Sequence, residues 1–163
     1  MTTPIDRALA TFDAAIASAR TPEAAYAALE AYAVAVVGAK LFTVMTIDLA
    51  AGLARRAHTS DPDAYPVSGA KPIQRDAWFR LVHDERRPFV ANTIGEIADV
   101  FPDHGVIESL GCGSVLNLPV VVRDEVVATV NLLHEARFYT PERVERAVRW
   151  LPTPARLAYL IAA

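Results

Sequence analysis

The chain has 163 residues, of which 53% are hydrophobic and 21% charged, and a net charge of −3 at pH 7. This length and apolar content predict one domain, 1–163, whose core is large enough to fold without disulfides or metals. Interspersed charges argue against a nucleic-acid surface, and no apolar run approaches the ~20 residues that a membrane span requires. The N-terminus lacks a signal-peptide pattern and the single cysteine suits a reducing compartment, so we expect a cytoplasmic protein.

Threonine–proline pairs predict where the helices begin, because the hydroxyl caps the first turn and proline at N1 loses no hydrogen bond. The pairs are Thr3-Pro4, Thr21-Pro22, Thr140-Pro141 and Thr153-Pro154. Two amphipathic helices are therefore expected before any strand, the first within 1–20 and the second ending at Gly38. At the other end, Pro152 is expected to stop one helix and Thr153 to cap another.

The middle of the chain mixes strands, short helices and a polar loop. We predict strands at Leu41–Ile47, Leu53–His58 and Pro88–Asn92, with the last at a sheet edge because it begins with proline. The loop Thr59–Pro72 is punctuated by prolines, and a helix is expected over Gln74–His83. Thr93 and Glu96 form a predicted capping box for the next helix, and Asp103 is placed to cap one further turn.

The segment Leu110–Glu135 contains the strongest strand signals in the chain. Ser114–Val122 and Val126–His134 are apolar on both faces, and Arg123–Glu125 reads as a tight turn, which predicts a hairpin at the covered centre of a sheet. The polar exceptions within it are Ser114, Asn117, Thr129, Asn131 and His134. Strand alternation places Asn117 on the opposite face from Leu116, but which face lines a site is left open.

The order of elements predicts an α+β domain with an antiparallel sheet covered by helices on both faces. The hairpin S-V-L-N-L-P-V-V-V…V-V-A-T-V-N-L-L-H resembles the last hairpin of a GAF domain, and Tyr65-Pro66…Lys71-Pro72 and Phe101-Pro102-Asp103-His104 resemble stand-alone bacterial GAF proteins. The resemblance covers the chain from about Thr21 onward. It implies a core at 21–163 after an N-terminal helix at 1–20. The terminal helices would lie on one face, and short helices and loops would roof a pocket on the other.

The resemblance also implies a small-molecule-binding, regulatory signalling role, with the ligand held under the roof. The residues expected at that site are Tyr65, Lys71, Trp78, Asn92, Thr93, Phe101, His104, Cys112, Ser114 and Asn131. Lys71 suits an anionic ligand, His104 a carbonyl or carboxylate, and Trp78 or Phe101 a flat ring. The alternatives are a solvated lysine, a capping histidine and aromatic side chains that only fill the core.

No catalytic or metal-binding motif is present, and no cofactor is expected. The four histidines lack the close spacings of a metal site. A non-catalytic binding domain is therefore favoured over a GAF-type redox enzyme, such as one resembling methionine sulfoxide reductases, that would use Cys112. Such enzymes cycle through a disulfide, and this chain has no second cysteine. A third alternative is a scaffold whose pocket has collapsed.

The terminal helices carry more apolar residues than one sheet face can cover. Outward-facing candidates are Ile16, Val34, Val37, Leu157 and Tyr159. Leftover apolar area of this kind marks interaction surfaces, and related GAF domains pair through these helices. We therefore expect a two-fold homodimer through the helical face that leaves the pocket free for its ligand.

Overall fold

A six-stranded antiparallel sheet forms the middle layer of the fold in a computed structural model that describes residues 1–163. The strands are β1 (Leu41–Asp48), β2 (Leu53–Thr59), β3 (Lys71–Pro72), β4 (Phe89–Ala91), β5 (Ser114–Val122) and β6 (Glu125–His134). The helices are α1 (Pro4–Ser18), α2 (Pro22–Val36), α3 (Ala77–Phe79), α4 (Ile94–Ala98), α5 (His104–Ser109), α6 (Pro141–Trp150) and α7 (Pro152–Ala162), with a π-helical turn at Arg80–Asp84. None of these helices combines the length and the apolar character needed to cross a bilayer.

The hairpin of β5 and β6 lies inside the sheet, as its apolar pattern predicts. The strand order is β3-β2-β1-β6-β5-β4, so both strands have neighbours on each side. Its loop is the pair Arg123 and Asp124, whose φ angles of 53° and 62° give the type I′ turn that matches the twist of the strands. Glu125, expected in the turn, instead begins β6 opposite Val122.

The terminal helices α1, α2, α6 and α7 form a layer on one face of the sheet. Their buried side chains join those of the even-numbered residues of β5 and β6, such as Leu116 and Leu132, in the main core. Thr3, Thr21 and Thr140 each accept a hydrogen bond at Oγ1 from the backbone N–H three residues on, at 3.1, 3.1 and 3.4 Å. These three predicted caps are confirmed.

The last helix begins earlier than the sequence predicts. Leu151 has helical backbone angles and its carbonyl accepts the Ala155 N–H at 2.9 Å, so α7 starts at Pro152 without a side-chain cap. Pro152 therefore opens this helix, and Thr153 lies within its first turn rather than before it. The prediction was wrong because proline at N1 needs no preceding threonine.

Part of the predicted outward apolar surface is buried. Ile16 and Val37 belong to the main core, and Tyr159 packs half-buried against it. Val34 and Leu157 are exposed, as predicted. Other exposed apolar residues on the terminal helices are Leu9, Val148, Leu160 and Ile161. The terminal-helix layer therefore has exposed apolar surface, although some of the residues that form it differ from those predicted.

The loop 60–70, α3, the π-helical turn, α4 and α5 cover the opposite side of the sheet, which we call the roofed face. A smaller buried cluster, including Ile97, Ile107 and Cys112, packs there against Val115 and Leu133. Because side chains alternate along a strand, the odd-numbered residues of β5 and β6 point to this side. Asn117, Thr129 and Asn131 therefore belong to the roofed face, which settles the question that the sequence left open.

The roof differs from the sequence prediction in two places. The helix expected over Gln74–His83 begins only at Ala77, where the Asp76 carboxylate accepts the Phe79 N–H at 2.9 Å, and then widens into the π-helical turn. The polar loop contributes the two-residue edge strand β3, paired with Leu53 and Ala54. β4 lies at the other sheet edge, as its leading proline predicts.

Candidate ligand-binding cavity

A cavity of about 260 Å³ opens on the roofed face, between the β1–β2–β3 side of the sheet and α3 with its π-helical turn. Its walls are mostly apolar, and they include Met45 and Ile47 of β1 and Ala54 of β2. The remaining lining residues are Thr46, Lys71, Pro72, Ile73, Gln74, Asp76, Trp78, Phe79, His83, Val100, Phe101 and Thr129. A concave apolar surface with a few polar groups is the usual form of a small-molecule site.

The π-helical turn brings an aromatic group together at one wall. The ring of His83 stacks on that of Phe79, with centroids 4.4 Å apart and planes 15° from parallel. The indole ring of Trp78 packs edge-on against the His83 ring, with centroids 5.6 Å apart. It also packs edge-on against the Phe101 ring, with centroids 6.3 Å apart. A π-helix widens the backbone by one residue per turn, and such turns are frequent at functional sites.

A ladder of side-chain hydrogen bonds crosses the sheet beneath Trp78. The indole N–H donates to Oδ1 of Asn117 at 2.9 Å, the Asn117 amide donates to Oδ1 of Asn131 at 2.7 Å, and the Asn131 amide donates to Oγ1 of Thr43 at 3.1 Å. The sequence favoured a tie from these asparagines to a turn, but they bond to one another across three strands. The ladder fixes the indole over the sheet and leaves its ring surface for packing.

Two polar atoms in the cavity wall are buried without a hydrogen-bond partner. They are Oγ1 of Thr129, a residue that is only 2% exposed, and Nδ1 of His83. A buried polar group normally has a partner, because leaving it unpaired costs about 1–3 kcal/mol. Both residues line the same cavity, but each of these atoms is enclosed by protein and has almost no surface that faces the cavity.

His83 is uncharged at neutral pH in this environment. Burial lowers its pKa below the usual value; Asp84 partly opposes this and Arg75 adds to it. The neutral imidazole presents one N–H and one acceptor nitrogen, and the tautomer decides which of them is Nδ1. The aromatic wall therefore offers a hydrogen bond without a formal charge.

The charged residues of the cavity lie at its rim. Lys71 is exposed, as is the uncharged Gln74, and the exposed Asp76 already caps α3. A second depression of about 220 Å³ shares Phe79 and His83 with the cavity and is bordered by arginine and acidic side chains. The interior of the cavity itself contains no charged side chain.

Of the residues predicted for the site, the structure places Lys71, Trp78 and Phe101 in the cavity wall. Tyr65 instead donates its hydroxyl hydrogen to the Asp103 carboxylate, and the Arg56 guanidinium lies 3.6 Å from the centroid of the tyrosine ring. Burial and the carboxylate raise the pKa of Tyr65. Asp103 was expected to cap α5, but its carboxylate accepts the Tyr65 hydrogen bond instead. This contact joins the loop 60–70 to the start of α5.

Asn92, Thr93, His104 and Ser114 also lie outside the cavity wall. Asn92 exchanges hydrogen bonds with the backbone of Tyr139 at 3.1 and 3.2 Å, and Thr93 caps α4. Nδ1 of His104 contacts the Phe101 carbonyl oxygen at 3.0 Å, and the Ser114 hydroxyl donates to the Glu135 carbonyl at 2.6 Å. Asn131 belongs to the ladder described above.

Cys112 lies in the smaller buried cluster and is only 4% exposed. Burial raises the pKa of its thiol, and the Lys40 ammonium offsets this only in part. A reactive cysteine requires the opposite, an accessible thiol with a lowered pKa. No three His, Cys, Asp or Glu side chains are grouped closely enough to hold a metal ion.

Sequence reasoning did not select the residues with the unpaired atoms. Thr129 stood out only as a polar residue inside an apolar strand, and His83 only as a histidine without metal spacing. The signal for Thr129 was therefore present in the pattern of β6. Nothing local in the sequence points to His83, because its place depends on the π-helical turn.

Comparison with known proteins identifies the fold. No family model and no curated protein matches the chain. Among solved structures, the GAF domain of a phosphoenolpyruvate-protein phosphotransferase from Coxiella burnetii has a TM-score of 0.70 at 15% identity, covering 98% of this chain and 93% of that one. The nlh2 GAF domain of A. aeolicus in an inactive state also gives 0.70, at 11% identity and with 98% of each chain covered.

A third similar structure contains a ligand. It is the phycoerythrobilin-bound GAF domain of a cyanobacterial phytochrome, with a TM-score of 0.67 at 15% identity over 98% of this chain and 95% of that one. Identities this low carry information about the fold alone. The chain has the α+β GAF fold, as the hairpin and loop segments predict.

Proposed function

We propose that this chain is a sensory GAF domain, which binds a small molecule in the roofed cavity and has no catalytic activity of its own. The observation that carries the proposal is the cavity of about 260 Å³ itself, whose walls are mostly apolar and include the aromatic side chains of Trp78, Phe79 and Phe101. A molecule bound there stabilises the folded state because it buries apolar surface and binds only the folded chain. The phycoerythrobilin-bound GAF domain described above supports a sensory role.

The state of Cys112 favours binding over redox catalysis. Its thiol is buried with a raised pKa, and the chain holds no second cysteine to form a disulfide with it. A free, protonated thiol of this kind suits a reducing compartment, and we place the domain in the cytoplasm. Because the cavity is open, we do not favour the alternative of a scaffold with a collapsed pocket.

We also propose that two copies associate through the terminal helices. Exposed apolar residues on this layer include Val34 of α2, Val148 of α6 and Leu157 of α7. The cavity lies on the opposite side of the sheet and stays open in such a dimer. Light scattering at micromolar concentrations tests this: a dimer mass is expected, and a monomer mass that persists as concentration rises contradicts it.

A thermal-shift screen tests ligand binding. The panel comprises nucleotides, purine and pyrimidine bases, amino acids and aromatic acids, and at least one member is expected to raise the melting temperature in a dose-dependent way. Ala54→Phe puts a ring into the cavity and should abolish the shift. Ala51→Phe adds the same ring in the exposed β1–β2 turn and serves as the matched control. No stabilisation by any compound argues against the proposal.

A further inference from the structure

The cavity carries its charges only at the rim. Lys71 and Asp76 are exposed there, and burial lowers the pKa of His83 so that its ring is uncharged at pH 7. A charged group carried to the inner end of the cavity would lose its hydration without gaining an opposite charge, which is costly. The buried part of the ligand is therefore uncharged.

The strands that form the floor of the cavity offer no free hydrogen-bonding group. Oγ1 of Thr129 is enclosed by protein. Thr46 lies opposite Ala128, a residue of the main core, so its hydroxyl points toward the terminal helices. The other wall residues of β1 and β2 are apolar, and the backbone of β1 is paired with a strand on each edge. A ligand on this floor meets apolar surface.

The roof of the cavity presents mainly ring surface. The only N–H of the Trp78 indole is already bonded to Asn117, and Phe79 and Phe101 have no polar side-chain atom. Nδ1 of His83 is enclosed, and this residue also lines the second depression, so it lies at the border of the cavity. Aromatic side chains pack against a flat ring in offset-stacked or edge-to-face arrangements that add to simple area burial.

The volume of the cavity limits the size of that ring system. An apolar cavity of roughly 150 Å³ lined by Leu, Ile and Phe is enough to hold benzene. Sites for drug-sized ligands begin at about 300 Å³. At about 260 Å³, this cavity has room for one substituted ring or two fused rings.

Building on the proposed function, we infer that the ligand is an uncharged aromatic molecule of one or two rings with a hydrocarbon-like surface, held by ring packing and burial rather than by hydrogen bonds. The cavity selects by shape and apolar area. It discriminates against ionised or hydroxylated molecules of the same size, because their polar groups lose water without gaining a partner. Nucleotides and free amino acids, which are charged at neutral pH, are excluded from the interior.

Three single-ring probes of similar size test the inference: toluene, phenol and benzoate. Each is titrated into the ¹⁵N-labelled full chain at pH 7, and the dissociation constant is read from the amide shifts of the cavity residues. Toluene should bind at least about fourfold more tightly than phenol, because a buried methyl group gains about that factor and a hydroxyl buried without a partner loses affinity. Benzoate should bind at least about tenfold more weakly than toluene.

Two opposite hydroxyl changes test the placement of the polar atoms. Val100→Thr keeps the size of a wall residue and puts a hydroxyl on it, which should lower the ratio of toluene to phenol affinity about threefold. Thr129→Val removes a hydroxyl that the ligand does not reach, so both affinities should stay within twofold. Equal changes of the ratio in the two variants overturn the inference.

A second pair of variants tests the aromatic wall. Phe101→Leu keeps an apolar side chain but removes the ring, and it should weaken toluene binding about fivefold. Phe89→Leu is the matched control, since its ring packs edge-on against Phe101 with centroids 6.0 Å apart but does not line the cavity. Toluene affinity should stay within twofold in this control, and equal losses in the two variants contradict ring packing in the cavity.

The outcomes separate this inference from the proposed function. If phenol, benzoate, a nucleotide or an amino acid binds in the cavity as tightly as toluene, the inference is overturned while the proposed binding role stands. The same holds if a screened compound shifts the cavity amides and toluene does not. If none of the probes and none of the screened compounds shifts them, both are overturned.

Discussion

The indole N–H of Trp78 donates a hydrogen bond to Oδ1 of Asn117 across 2.9 Å, and this contact fastens the roof to the centre of the sheet. Asn117 in turn donates to Asn131, so a residue of α3 is coupled to β5 and β6. A buried donor and a buried acceptor are satisfied by one amide group. Removing that amide orphans both neighbours at once.

Asn117→Leu should therefore lower the free energy of unfolding by about 2–4 kcal/mol, because it leaves the Trp78 N–H and Oδ1 of Asn131 without partners. Urea denaturation followed by tryptophan fluorescence measures it. Trp78→Phe is the companion variant, with the indole N–H removed and Asn117 left partly unpaired. A loss below about 0.5 kcal/mol for Asn117→Leu would mean that water replaces the ladder.

Thr129→Val should raise the stability of the ligand-free protein by about 1 kcal/mol, because the removed hydroxyl has no partner to lose. Thr43→Val is a matched control on the same face of the sheet. Its hydroxyl accepts a hydrogen bond from Asn131 at 3.1 Å, so that variant should be destabilised. Equal effects from the two variants would contradict the assignment of the unpaired hydroxyl.

Stability should fall as pH drops below about 6.5, the ordinary pKa of histidine. Burial lowers the folded-state pKa of His83 and of His134, so the unfolded chain binds protons that the folded chain does not. The stabilisation is present above the unfolded pKa and is lost as pH falls toward the folded one. His83→Phe should flatten the slope of unfolding free energy against pH in this window, and an unchanged slope would refute the contribution of His83.

The thiol of Cys112 should react slowly in the native protein. Burial keeps it protonated and out of reach, so alkylation by iodoacetamide at pH 8 should be at least about tenfold slower than in denaturant. Mass spectrometry of timed samples gives both rates. Native and denatured rates that agree within twofold would revive the redox alternative.

Much of the fold follows from local sequence, because its signals act over a few residues. Thr3, Thr21 and Thr140 cap helices through their own side chains, and the Arg123-Asp124 turn needs only the two flanking apolar strands. These features were predictable without knowledge of the rest of the chain.

The cavity depends on contacts that are distant in sequence, so it could be predicted only in outline. Thr129 and His83 are 46 positions apart, and they line one cavity because the π-helical turn packs on the roofed face of the sheet. The Asp103 carboxylate likewise bonds to Tyr65, which is distant in sequence, instead of capping its own helix. Lys71, Trp78 and Phe101 line the cavity, and the sequence pointed to them only because the resemblance supplied the place of the roof.

We expect the roofed cavity to receive the ligand, and mapping the amide shifts caused by a stabilising compound tests this claim most directly. The ¹H–¹⁵N spectrum of the full chain is recorded during titration for the wild type, Ala54→Phe and Ala51→Phe. We predict saturable shifts at Phe79, His83 and Thr129, lost in Ala54→Phe and retained in Ala51→Phe. Shifts confined to the terminal helices, or unchanged binding by Ala54→Phe, would contradict the claim.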